Sequence, residues 1–154
     1  MTHFDSTGRA RMVDITDKPV TNRMARAAGQ IRMKRETLEA IRSGATKKGD
    51  VIAVARIAGI MAAKRTAELI PLCHPIPLTD VDLTIDLDDS LPGARVTASA
   101  KTAAQTGVEM ESIVAVSVTL LTIFDMVKGL DRDLLIGEIT VTEKHGGKSG
   151  SWVR

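Results

Sequence analysis

Between Leu78 and Asp88 the chain reads LTDVDLTIDLD, in which Leu78, Val81, Leu83, Ile85 and Leu87 alternate with Asp80, Asp82, Thr84, Asp86 and Asp88. Side chains two apart share one face of a β-strand, so this is a strand with one core face and one wet, acidic face. The change of phase at Thr79–Asp80 marks where it begins. SLPG (90–93) supplies turn residues, and ARVTASAKTA (94–103) reads as the returning strand of an antiparallel hairpin. A hairpin with one apolar face needs a covering layer.

Two long apolar segments supply that layer. In GDVIAVARIAGIMAAKRTAELIP (49–71), Asp50 is placed to cap a helix, and Val51, Val54, Ile57, Ala58, Met61 and Ala62 fall at helical spacing as its inward face. Ile52, Ala55 and Ile60 make the opposite side apolar too. A helix apolar nearly all round is covered on more than one side, which in a small domain points to a subunit interface. VEMESIVAVSVTLLTIFDMVKGLD (108–131) is the second helix, with Ile113, Ser117, Leu120 and Phe124 on one stripe and Val114, Val118 and Leu121 on the next. RETLEAIRSG (35–44) reads as a short helix burying Thr37, Leu38 and Ile41, with Gly44 just past its end. Strands are expected at Arg26–Met33 and in LLIGEITVTEK (134–144).

The order strand, helices, strand, turn, strand, helix, strand matches the split βαβ plan. The expected fold is therefore α+β and ferredoxin-like, a four-stranded antiparallel sheet with helices on one face. Residues 1–18 read as a flexible N-terminal segment, 19–145 as one catalytic domain, and 146–154 as a glycine-rich, basic, flexible tail. A chain of 154 residues buries a sufficient core without disulfides, and its one cysteine suits a reducing compartment. No uninterrupted apolar run spans a bilayer and no apolar stretch follows the N-terminal charges, so the chain reads as soluble and cytoplasmic, with no membrane partner. A net charge of +2 and only Phe4, Phe124 and Trp152 as aromatic residues speak against nucleic acid, whose single strands need stacking platforms. A small anionic ligand explains the basic bias as well.

Five short stretches carry candidate chemistry. LIPLCHPIPL (69–78) sets Cys73 beside His74 between prolines. Zinc needs three or four ligands, usually paired at short spacing, and the other histidines are His3 and His145, near the termini; no metal is expected. Adjacent residues of an extended segment point opposite ways, which weakens a thiol–base pair. Cys73 is then packing, and His74 is either an exposed loop residue or an imidazole aimed by Pro71, Pro75 and Pro77. HGGKSG (145–150) lacks the first glycine of a phosphate loop, since Thr142 holds that place; its flexible backbone with Lys144 and Lys148 either wraps an anion or is a solvated tail. Glu109 and Glu111 in TGVEMES open the long helix, where carboxylates are favoured in any case. In FDMVK, Asp125 and Lys128 lie three apart on one helix face, either as a surface ion pair or as a proton-exchanging pair, with Asp125 partly buried at the edge of the core. KKGDV places Lys47 and Lys48 before a helix N-terminus, which suits a phosphate or is simply solvated. Glu111 and Asp125 are fourteen residues apart, about 21 Å along a helix, too far to serve one small molecule within a subunit. Either the two clusters are unrelated, or opposite ends of the helix meet across two subunits.

MVDIT (12–16), KKGDVIAVARIAGIMAAKRTAELIPLCHP (47–75), TGVEMESIVAVSVTLLTIFDM (106–126) and GGKSG (146–150) together resemble the cyclic pyranopterin monophosphate synthase family, the molybdenum-cofactor biosynthesis protein C. The resemblance runs from about residue 10 to 150, with LIPLCHP and TGVEME its most specific blocks. It implies a ferredoxin-like lyase that assembles as a homohexamer, a trimer of dimers, with its active site at a dimer interface. The implied reaction takes 3′,8-cyclo-dihydroguanosine triphosphate to cyclic pyranopterin monophosphate and releases pyrophosphate, with no protein-bound cofactor; any Mg²⁺ comes with the triphosphate. The family's catalytic aspartate falls on Asp125 and its essential lysines on Lys48 and Lys128. Its substrate segments fall on Leu72, Cys73 and His74 and on Met110 and Glu111, and Arg23, Glu109 and Lys144 match further pocket positions. Residues 79–103 are less characteristic and inherit no role. The other reading is a non-enzymatic module that binds a small anion and regulates a partner. Such a module has no need of Asp125 and Lys128 together.

Overall fold

The computed structural model describes residues 7–148 and 150–154; His3 lies outside the described residues. Its elements are β1 (Thr21–Arg32), α1 (Arg35–Arg42), α2 (Val51–Ala63), α3 (Thr66–Leu69), β2 (Asp80–Asp88), β3 (Gly93–Ala104), α4 (Glu109–Val127), β4 (Leu135–His145) and β5 (Trp152–Val153). The strands form one antiparallel sheet in the order β2-β3-β1-β4-β5. Its first four strands have the expected split βαβ arrangement. The sheet has five strands rather than four because Trp152 and Val153 pair with Lys144 and Glu143.

β1 starts five residues before the expected Arg26. Its inward positions are Ala25, Ala27 and Ile31, the first two fully buried but small, so hydropathy hardly marks the early strand although it is central in the sheet. The hairpin of β2 and β3 pairs in register from Asp80↔Lys101 to Asp88↔Gly93, with Leu83 and Ile85 buried and the aspartates turned outward. Asp80 and Asp88 pair there with Lys101 and Arg95.

The helical layer differs from expectation in its rotation. Asp50 caps α2, accepting a hydrogen bond from the Ala53 N–H at 3.0 Å. Val51 and Ala62 are buried as expected, but Val54, Ile57 and Met61 are exposed while Ala55 and Gly59 face inward. Size decides here, because hydropathy is similar all round the helix. A Cβ on Gly59 would sit 2.1 Å from the Thr119 hydroxyl oxygen and 2.9 Å from the Ala115 carbonyl oxygen, so α2 and α4 approach as only small residues allow. In α4 the core face is Ala115, Val116, Thr119, Leu120, Ile123 and Val127, with Leu121 on the exposed side. The apolar segment expected to run unbroken to residue 71 ends at Ala63. Thr66 begins the short α3, its hydroxyl donating to the Ala63 carbonyl at 3.0 Å. By length and composition α4 matches a membrane span, a property its terminal charges mask; half of it is buried between α2 and the sheet as a core helix.

Buried Asp131, just after α4, accepts from the Lys34 N–H at 2.6 Å and the Asp133 N–H at 2.8 Å. Burial alone would raise its carboxyl, but these donors outweigh it and lower it. This tie fixes the end of α4 against the start of α1.

Candidate active site

The loop after α3 is fixed from both sides. The Cys73 N–H donates to the Ile70 carbonyl at 3.1 Å, and the prolines restrict the backbone around His74. His74 Nε2 donates to the Val13 carbonyl oxygen at 2.7 Å, which draws the N-terminal segment over the loop and sets the proton on Nε2 in the neutral ring. Gln105 Nε2 ties down the same segment through the Thr16 carbonyl at 3.1 Å.

Behind this loop α4 begins. Leu72, Cys73, His74, Glu109, Met110 and Glu111 line one cavity of about 420 Å³, together with Val13, Ile15 and Lys18. The Cys73 thiol is pushed up by burial and then by the nearby Glu111 carboxylate, so it is held as an un-ionised thiol. Glu111 is itself buried and has no side-chain partner among the described residues. Burial pushes its carboxyl up against the opposing bond from its own N–H, and Glu109 adds to the rise. Glu109 differs, since Lys144 Nζ stands 3.2 Å from its Oε1.

Arg23 lies at the same end of α4. Its Nε and Nη2 donate to the carbonyls of Ala104 and Gln105 at 3.0 and 3.2 Å, and its Nη1 faces Gly147. A side chain at Gly147 would strike that nitrogen, and φ there is +76°, so the Gly-Gly turn is what lets the tail pass. Arg23, Lys18, Gly147 and Lys148 border a wider cavity of about 850 Å³ that shares Lys18 and Thr106 with the first. Lys18, Val13 and Gln105 line these two cavities though no residue-level signal singled them out; Val13 falls within the MVDIT block, and Lys18 and Gln105 lie outside every block that carried the resemblance.

At the far end of α4, Asp125 Oδ1 lies 2.7 Å from Lys128 Nζ and Oδ2 lies 3.1 Å from Lys48 Nζ. The expected partial burial of Asp125 does not occur: its side chain is 57% exposed, because it turns outward where Phe124 turns toward the core. Lys128, then Lys48, holds its carboxyl below the usual carboxylate range. Lys48 is thus occupied by Asp125, while the N-terminus of α2 is capped by Asp50. The structure brings Lys48, Asp125 and Lys128 together, and separately brings the loop, Met110, Glu111, Glu109, Lys144 and Arg23 together. The two groups stay at opposite ends of α4, about 21 Å apart by helix length. Val54, Ile57 and Met61 of α2 are exposed, as is Leu121 of α4. Among the described residues, no three His, Cys, Asp or Glu side chains converge as a metal cage.

Fold and site together define a ferredoxin-like α+β protein with a concave, charged site suited to a small anionic molecule. The MoaC family model matches residues 12–147. The chain is 57% identical over 150 residues, 97% of its length and 95% of the relative's, to a protein of Dinoroseobacter shibae named cyclic pyranopterin monophosphate synthase. Proteins of the same name from Brucella ovis and Brucella abortus are 58% identical over 152 residues, 99% of this chain and 92% of theirs. The chain belongs to the MoaC family.

Proposed function

We propose that this chain is a cyclic pyranopterin monophosphate synthase of molybdenum cofactor biosynthesis, converting 3′,8-cyclo-dihydroguanosine triphosphate to cyclic pyranopterin monophosphate and pyrophosphate. The observation that carries the reading is Asp125 clasped between Lys48 and Lys128, on a chain so similar over its whole length to proteins of that name. Opening a purine ring and reclosing it as a pterin needs proton transfers at nitrogen and carbon. Asp125, kept ionised, serves as base, and its two lysines as acids. Attack of a sugar hydroxyl on the α-phosphate expels pyrophosphate, whose charge Arg23, Lys144 and His74 are placed to stabilise. Leu72, Cys73, Met110 and Glu111 form the wall that holds the purine-derived rings. Any Mg²⁺ enters with the triphosphate, as oxygen-bound magnesium commonly does.

One substrate cannot touch both ends of α4 in a single chain, so the catalytic lysines of one subunit complete the loop pocket of another. The exposed α2 face supplies apolar surface for such an interface, and we assign the assembly as a trimer of dimers working in the cytoplasm. The test is incubation of the purified assembly with the cyclised triphosphate, following pyrophosphate release and the fluorescence of the oxidised pterin. Both appear if the reading is right. A folded assembly that binds the compound and releases neither product is a binding module.

A further inference from the structure

Glu111 stands where two cavities meet. One is the cavity of about 420 Å³ behind the His74 loop, where the proposed function puts the substrate, and the other is a cavity of about 330 Å³ bordered by Arg65, Thr66, Ala67 and the Pro75–Pro77 segment. Only Ile76 and Glu111 line both. Among the described residues Glu111 is therefore the sole ionisable group in the shared wall; it is 4% exposed, accepts a bond from its own N–H and has no ion-pair partner. We propose that Glu111 is the proton carrier of the substrate cavity and that the second cavity is its separate route to water.

The chemistry explains why such a route matters, and here the inference rests on the proposed function. Ring opening and reclosure move more than one proton per turnover. A bound substrate closes the front of the cavity, so a carboxyl reached only from that side can act once. With water behind it, Glu111 gives its proton to a substrate nitrogen or oxygen in front and regains one from water behind, leaving hydroxide to the solvent. The return transfer runs the same path backward. The ionisable groups around it are Glu109, Cys73, His74 and Lys18 lining the first cavity, and Lys64, Arg65 and Glu68 lining the second. None is within ion-pair distance of its carboxyl, so no fixed charge holds it ionised. Burial raises its carboxyl above the ordinary glutamate value, which favours the protonated form that a carrier must hold.

Glu111→Gln keeps the shape and cannot ionise, and Ala67→Phe fills the second cavity. With the cyclised triphosphate as substrate, Glu111→Gln is expected to lower kcat by roughly 10²-fold with KM little changed. Ala67→Phe is expected to lower kcat and raise the solvent isotope effect, again at unchanged KM. Wild-type kcat in either variant overturns the inference. If wild type itself releases no pyrophosphate, the proposed function fails separately, and infrared titration decides the proton route. The carboxylic-acid band that vanishes in Glu111→Gln should titrate above the usual glutamate range. Its midpoint should rise further in Ala67→Phe, which removes water from one side. Equal midpoints overturn the route whatever the enzyme does. Ala67→Leu replaces Ala67→Phe if the larger side chain melts α3.

Discussion

Lys48 and Asp125 are 77 residues apart in sequence, yet Lys48 Nζ lies 3.1 Å from Asp125 Oδ2 and donates to the Asp125 carbonyl oxygen at 2.8 Å. The loop before α2 is thereby pinned to the last turn of α4, where Lys128 takes the other carboxylate oxygen. Two ammonium groups on one carboxylate favour its ionised form.

Asp125→Asn should therefore lower turnover by about 10²–10⁴-fold, the usual worth of a positioned acid or base, with substrate affinity nearly kept. Because its carboxyl is lowered, Asp125 stays ionised through neutral pH. Any acid limb it contributes to kcat/KM should fall below the ordinary aspartate value of about 3.9. Its stabilising pairing is present above the unfolded-state value and is lost as pH falls through the folded one. The pair is exposed, so this loss should be small in a pH series of melting curves.

Glu111 has the opposite sign. Its carboxyl is raised in the folded chain by burial and by Glu109, so stability is fully present below the unfolded value and declines as pH rises through the folded one. Glu111→Gln removes that decline. Compared with wild type, its melting temperature should be relatively higher at alkaline than at acid pH. Parallel curves for the two proteins would show that Glu111 is not desolvated.

Helix packing makes its own prediction at Gly59. A methyl group there meets Thr119 Oγ1, Leu83 Cδ1 and the Ala115 carbonyl. Gly59→Ala should destabilise by about 1–3 kcal/mol through overpacking, measured by denaturant unfolding. Adding Thr119→Ala removes the nearest atom and should restore part of the loss, a coupling expected only for residues in contact.

Ile57 is 59% exposed on the apolar side of α2. Ile57→Lys should leave the fold intact by circular dichroism and reduce the assembly to smaller species in sedimentation. An unchanged assembly would place the interface elsewhere.

Much of the fold was legible because period-two alternation from Asp80 to Asp88 and an apolar helix of five turns leave few arrangements. What was not legible has common physical causes. The rotation of α2 and α4 was hidden because their apolar residues run nearly all round, so Gly59 against Thr119, a matter of size, decides the face. The start of β1 was hidden because Ala25 and Ala27 are buried without being large. At the site, the i, i+3 spacing showed the Asp125–Lys128 pair. Lys48 joins them only through tertiary packing, so neither that spacing nor the KKGDV stretch by itself pointed to it. Lys18 and Val13 reach the pocket on a segment held by the His74–Val13 and Gln105–Thr16 side-chain to carbonyl bonds, which leave no periodic trace.

The central claim is that the two ends of α4 form one active site only across subunits, and mixing two inactive variants tests it most directly. Lys128→Ala disables one end and His74→Ala the other, and each homogeneous assembly should be nearly inactive in pyrophosphate release. After subunit exchange, verified by mass-tagged chains, random pairing at a two-fold interface should restore about one quarter of wild-type activity. Full exchange with no recovered activity would contradict the account.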